Sequence, residues 1–254
     1  MESAHATAPF IKLAWGGKLP CLGDFVWSDG PLTLRAQLDG WLFGGMHHFR
    51  LTYGDNWRLG FDHAPLWNFI VPEGAWDQGC VAGCVSPSCD RVGRRFPFIV
   101  AYGLPEGLPA EIFSKTINLI PRLLSQTGVL LFDGIRRCWP KETLIPLIEQ
   151  TLTNWQRTLP WLEPSAEALS NDSAIMDILS SGARGNTAAA ATPTLSNDRS
   201  LSFPWSDVAS HLGVGASNSF WWTNGAGNAR LKAFSYNTHP DSALTTWLFG
   251  RTPV

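Results

Sequence analysis

Charge is what this sequence has least of. Only 16% of its 254 residues are Asp, Glu, Lys or Arg, and the net charge is −2. No basic domain or stripe interrupts that balance, which argues against a nucleic-acid binder. No apolar run approaches the roughly 18 residues of a transmembrane helix, so membrane insertion is not expected. Met1 to Pro9 lack a basic stretch followed by an apolar one, so no signal peptide is read there. The five cysteines, at 21, 80, 84, 89 and 138, are odd in number and scattered, unlike a disulfide framework. The cytoplasm is the expected compartment. Internal repeats and heptad runs are missing too.

The motifs of common chemistries are incomplete. Gly16-Gly17-Lys18 invites a phosphate-loop reading, but Leu19-Pro20 follows where a hydroxyl and a backbone donor are needed. The two glycines are better read as relieving strain at a strand end. Cys80 and Cys84 form one close pair with no second pair nearby, and strand alternation puts both on one face as small core residues. No metal site is expected. There is no G-x-S-x-G elbow, and His63, His211 and His239 have no nucleophile motif to serve. No catalytic residue and no cofactor follow from these patterns.

What is present is aromatic weight and a regular alternation of elements. Thirteen tryptophans imply either an aromatic-heavy core or a surface that docks onto other proteins. Phe10–Trp15, Pro65–Val71, Cys80–Val85 and Phe98–Tyr102 read as strands. Leu34, Leu38, Trp41, Leu42, Gly45 and Phe49 follow Pro31 at helical spacing. Ala110–Leu124 reads as a helix that Pro121 should end or kink, and Lys141–Leu159 as another. A short helix is expected at Ala174–Leu179 and a mobile loop at about 180–200. Ser217–Thr223 and Arg230–Ser235 read as a hairpin through Asn224-Gly225-Ala226-Gly227-Asn228, and Asp241–Phe249 as a closing helix. Strands interleaved with helices predict an α/β domain with helices on both faces of a mixed sheet.

One segment concentrates the scarce charge. Asp90, Arg91, Arg94 and Arg95 fall within six residues, between Ser86-Pro87 and Phe96-Pro97. Arginine forks recognise carboxylates and phosphates, so this loop is a candidate site for an acidic partner. Internal ties compete with that role. Asp90 and Arg91 are read as bracing the loop, with Lys18 an alternative partner for Asp90, and Arg94 and Arg95 as reaching solvent. Adjacent Trp221 and Trp222 must point to opposite faces of a strand, one into the core and the other covered or exposed.

Three blocks together resemble the TagF (ImpM) family of type VI secretion-associated proteins. They are Gly17-Lys18-Leu19-Pro20-x-x-Gly23-Asp24-Phe25, Pro87-Ser88-x-Asp90-Arg91-Val92-Gly93-Arg94-x-Phe96-Pro97 and Ser219-x-Trp221-Trp222-Thr223. The resemblance implies a three-layer α/β/α sandwich, taken as one TagF-like domain over 1–254. It also implies a non-enzymatic accessory protein that represses type VI secretion after translation by binding other components, notably a forkhead-associated scaffold protein. Lys18, Asp24, Asp90, Arg91, Arg94, Arg95 and Trp222 are the candidate partner-binding residues. The alternative is a hydrolase with a polar cleft around Asp24, Asp90 and a histidine.

Overall fold

Three nearly unbroken apolar runs make the centre of the sheet. In the computed structural model, which describes residues 11–159, 202–213, 215–224 and 231–250, they are β3 (Trp67–Val71), β4 (Val81–Ser86) and β5 (Phe98–Gly103). Around them stand β1 (Lys12–Gly17), β2 (Val26–Trp27), β6 (Ser219–Thr223) and β7 (Ala233–Tyr236), in the spatial order β2-β1-β5-β4-β3-β6-β7. Five α-helices are described: α1 (Leu32–Tyr53), α2 (Trp57–His63), α3 (Ala110–Arg136), α4 (Lys141–Gln156) and α5 (Ser242–Phe249).

Every strand pairing is antiparallel, so the sheet is not the mixed one that the alternation of elements predicts. The reason lies in the connections. β3, β4 and β5 follow one another through loops rather than helices, and such a meander makes antiparallel neighbours. Its strands still read as fully buried because helices cover both faces. Along β5, Phe98, Val100 and Tyr102 pack with α3 and α4 through Ile117, Ile120, Leu124 and Ile148. Ile99 and Ala101 face the opposite core, with Leu38, Leu42 and Phe49 of α1 and Leu248 of α5. An α/β fold results.

The tryptophans belong mainly to these cores: Trp15, Trp41, Trp67, Trp76, Trp155, Trp221 and Trp222 are all buried. Two of them also fasten the last helix. Trp41 Nε1 donates to the Asp241 carbonyl and Trp67 Nε1 to that of Leu248, each at 2.9 Å. α3 runs through Pro121 and on to Arg136, past the end expected near Leu124. Proline deletes one helical hydrogen bond, but the stripe Ile117, Ile120, Leu124 and Leu131 stays buried on both sides of it and holds the helix together. Cys80 and Cys84 do share one face, as small core side chains. Burial pushes the Cys80 thiol up to about 12 and raises that of Cys84 as well. β6 and β7 pair as the hairpin pattern predicts. The expected helix at 174–179 and the loop at 180–200 lie outside the described residues.

Candidate functional site

The charged loop between β4 and β5 folds back on itself. Asp90 N–H donates to the Arg94 carbonyl and Gly93 N–H to that of Asp90, with Gly93 at a φ of 82° that favours glycine. The turn brings Arg94 back over Asp90 and sends Arg91 outward. Asp90 Oδ1 accepts from the backbone N–H of Val92 (3.1 Å) and Arg94 (2.8 Å). Its Oδ2 accepts from Lys18 Nζ (2.9 Å) and Arg94 Nε (2.6 Å). Asp90 is 1% exposed and Lys18 6%. Burial alone would push the Asp90 carboxyl up, but the hydrogen bonds from Lys18 and Arg94 outweigh it and hold the group well below the usual carboxylate range.

Lys18 reaches Asp90 because β1 ends in Gly17. There φ is 124°, and the position of a Cβ is taken by the carbonyl of Pro97, the residue just ahead of β5. The loop after β1 is then clasped to the charged loop. Ser88 Oγ donates to the Lys18 carbonyl (2.7 Å), Arg91 N–H to that of Leu22 (2.8 Å) and Arg94 Nη2 to that of Gly23 (2.6 Å). Lys18 Nζ also lies 4.7 Å from the centre of the Phe25 ring.

The expected patch therefore splits. Lys18 and Asp90 are internal braces, and Asp90 pairs with Lys18 and Arg94 rather than with Arg91. Arg94 does both jobs, since its side chain is 60% exposed while tied to Asp90. Arg91 and Asp24 stand at the surface, the latter accepting from the Phe25 N–H. Trp222 is corrected to a core residue: it is 4% exposed, under the rings of Phe203 and Trp205. Trp221 is buried on the other face against Phe69 and Trp41. Asp90 is buried with both oxygens taken up by Lys18, Val92 and Arg94, whereas Asp24 is exposed.

Beside the clasp opens a cleft of about 800 Å³. One wall is the loop, with Arg94 and Arg95; the other is α1 and α2, with His47, Arg50 and Arg58. Arg95 is tied across to α2 by a fork of two bonds to Asp62, at 2.6 and 2.7 Å. That pairing raises its pKa. Arg50 lies with its guanidinium 4.7 Å from the Trp57 ring centre and donates to the Arg95 carbonyl at 3.3 Å. Its pKa is lowered, by burial first and by the nearby Arg58 charge second. Phe25, Phe43 and Phe96 meet in a cluster with ring centres 4.8 to 5.1 Å apart, and Phe25 and Phe43 are exposed.

Sequence reasoning did not find Arg50, Arg58, Phe25 or Phe43. One signal existed: in a chain poor in charge, Arg50 has no acidic residue three or four positions away on its helix. Among the described residues no cluster of His, Cys, Asp or Glu has the form of a metal site. Nor is any described helix long and apolar enough to cross a membrane.

Residues 14–149 match the profile of the TagF N-terminal domain, described as type VI secretion system-associated. The fold is similar to the crystal structure of PA0076 from Pseudomonas aeruginosa PAO1, with a TM-score of 0.55 and 23% identity over 95% of this chain and 96% of that one. No curated protein matches the chain.

Proposed function

We propose that this chain, which belongs to the TagF family of type VI secretion-associated proteins, represses assembly or firing of that apparatus after translation. It does so in the cytoplasm without catalysis, by binding other components, as one domain over 1–254. A forkhead-associated scaffold protein is the partner that the sequence resemblance implies. The helices on both faces of the sheet are read as the three-layer α/β/α arrangement of the family. The observation that carries the binding reading is the cleft: cationic side chains and exposed aromatic rings converge there, on walls joined by internal ion pairs.

Deleting the gene is expected to raise the amount of a secreted type VI substrate, and restoring the chain to lower it. Secretion unchanged by deletion would refute repression. Purified chain is expected to retain the tagged scaffold protein in a pull-down; a scaffold that washes through removes that partner.

A further inference from the structure

The walls of the cleft carry more positive charge than the protein itself balances. Lys18, Arg50, Arg58, Arg94 and Arg95 line it. Asp90 pairs with Lys18 and Arg94, and Asp62 with Arg95. Arg50 and Arg58 have no carboxylate partner among the described residues. Two unpaired guanidinium groups facing one cavity repel each other, and Arg50 is partly desolvated as well. A bound anion would relieve both costs.

The shape of the site narrows the anion. The loop's amide groups are not available to cradle a phosphate, because the N–H groups of Val92, Gly93 and Arg94 are spent inside the loop on Asp90. The free cations stand on α1 and α2, while Phe25 and Phe43 offer apolar rings in the same cavity. A volume near 800 Å³ accommodates several side chains, far more than one small ion fills.

We propose that the cleft binds an acidic peptide segment of a partner protein, with carboxylates on Arg50 and Arg58 and one large apolar side chain on Phe25 and Phe43. This deepens the binding reading of the protein's function and rests on it for the source of the peptide. Carboxylates distributed along a chain can meet cations on separate elements, and an apolar residue between them gains from covering the exposed rings. Arg94 and Arg95, tied to their own carboxylates, form the opposite wall.

The test is fluorescence anisotropy of the purified chain with a short fluorescein-labelled peptide in which Asp and Glu flank a central Phe. Binding is expected, weakening as salt rises. Arg58→Glu should weaken it by roughly tenfold or more. Arg58 is exposed and makes no ion pair among the described residues, so this variant should keep its fold, and circular dichroism verifies that. Phe43→Ser, and a peptide with Ala for Phe, should each give a smaller loss.

Equal binding of a peptide carrying Asn and Gln for Asp and Glu would overturn the proposal, as would wild-type affinity in Arg58→Glu. Tighter binding of ATP or pyrophosphate than of the peptide would make this a phosphate site instead, and binding confined to a phosphoserine peptide would do the same. Scaffold capture that persists in Arg58→Glu overturns the cleft assignment while leaving the function standing. Peptide binding in a chain that fails to capture the scaffold removes that partner and supports the cleft.

Discussion

Arginines on the two walls of the cleft live under opposite electrostatics. On the loop wall Arg94 and Arg95 each meet a carboxylate, and the meeting ties distant parts of the chain together: Asp90 joins the β4–β5 loop to the end of β1, and Asp62 joins it to α2. On the helix wall Arg50 and Arg58 meet none among the described residues, and Arg50 rests on Trp57 with Arg58 near it. The first arrangement spends charge on the fold. The second leaves charge unspent where an outside group can reach it. Substitutions on the loop wall should therefore read out in stability, and those on the helix wall in binding.

The largest effect is expected at the buried end of the loop wall. Asp90→Ala leaves Lys18 buried without its counter-ion and frees two amide donors, so its melting temperature should fall furthest of the variants considered. Asp90→Asn keeps the shape and removes the charge, and pH separates the two contributions. The folded-state pKa of Asp90 is depressed, so its ionised form contributes stability above the unfolded value of about 3.9, and that contribution is lost as pH falls toward the folded value. The gap in melting temperature between wild type and Asp90→Asn should be widest near neutrality and shrink below about pH 4. A gap independent of pH would show that packing, not charge, holds the clasp.

Gly17→Ala attacks the same clasp from the backbone. A φ of 124° and the Pro97 carbonyl leave no room for a Cβ. The backbone strain alone costs roughly 1–3 kcal/mol, before the displacement of β5 is counted. Urea unfolding measures it. If the alanine variant is as stable as wild type, β1 does not need this geometry to deliver Lys18 to Asp90.

How far these two walls can be read in the sequence differs for a physical reason. The strands were legible because Phe98–Tyr102 and its neighbours are apolar runs, and α1 because Leu34, Leu38, Leu42 and Phe49 recur at helical spacing. That Asp90 braces the loop was also legible, since scarce charge in a short loop needs ties. Its partners were not. A turn at Gly93 decides that Arg94 returns and Arg91 leaves, and sequence proximity treats the two alike. The antiparallel sheet was missed because strands covered on both faces have the same composition whichever way their neighbours run. Alternation put Trp221 and Trp222 on opposite faces, but the cover over Trp222 comes from Phe203 and Trp205, beyond the reach of a local pattern. The helix wall was least legible of all. Arg50 and Arg58 look like an ordinary solvated face until the Arg95–Asp62 fork brings the charged loop against it.

That fork is the next smaller effect. Both of its side chains are partly exposed, so the pair should contribute about 0.5–1 kcal/mol, measured as the coupling in an Asp62→Asn and Arg95→Gln double-mutant cycle. Because the fork ties the loop wall to α2, Asp62→Asn should weaken peptide binding more than this modest stability loss suggests. Unchanged binding would mean that the helix wall acts alone.

Arg58→Gln should disturb the fold least and so sharpen the contrast most. Arg58 is exposed and has no ion-pair partner among the described residues, while its charge lies close enough to Arg50 to shift it. Removing that charge relieves a like-charge repulsion and takes away no ion pair, so unfolding free energy should stay within about 0.5 kcal/mol of wild type, with any change toward greater stability. Repulsion between exposed charges is screened by salt. The wild type should therefore gain more stability than Arg58→Gln between low and moderate ionic strength, measured by urea unfolding in sodium chloride. Equal salt responses would mean that Arg50 and Arg58 are too well solvated to strain one another, and the helix wall would then be no different from any exposed face of the protein.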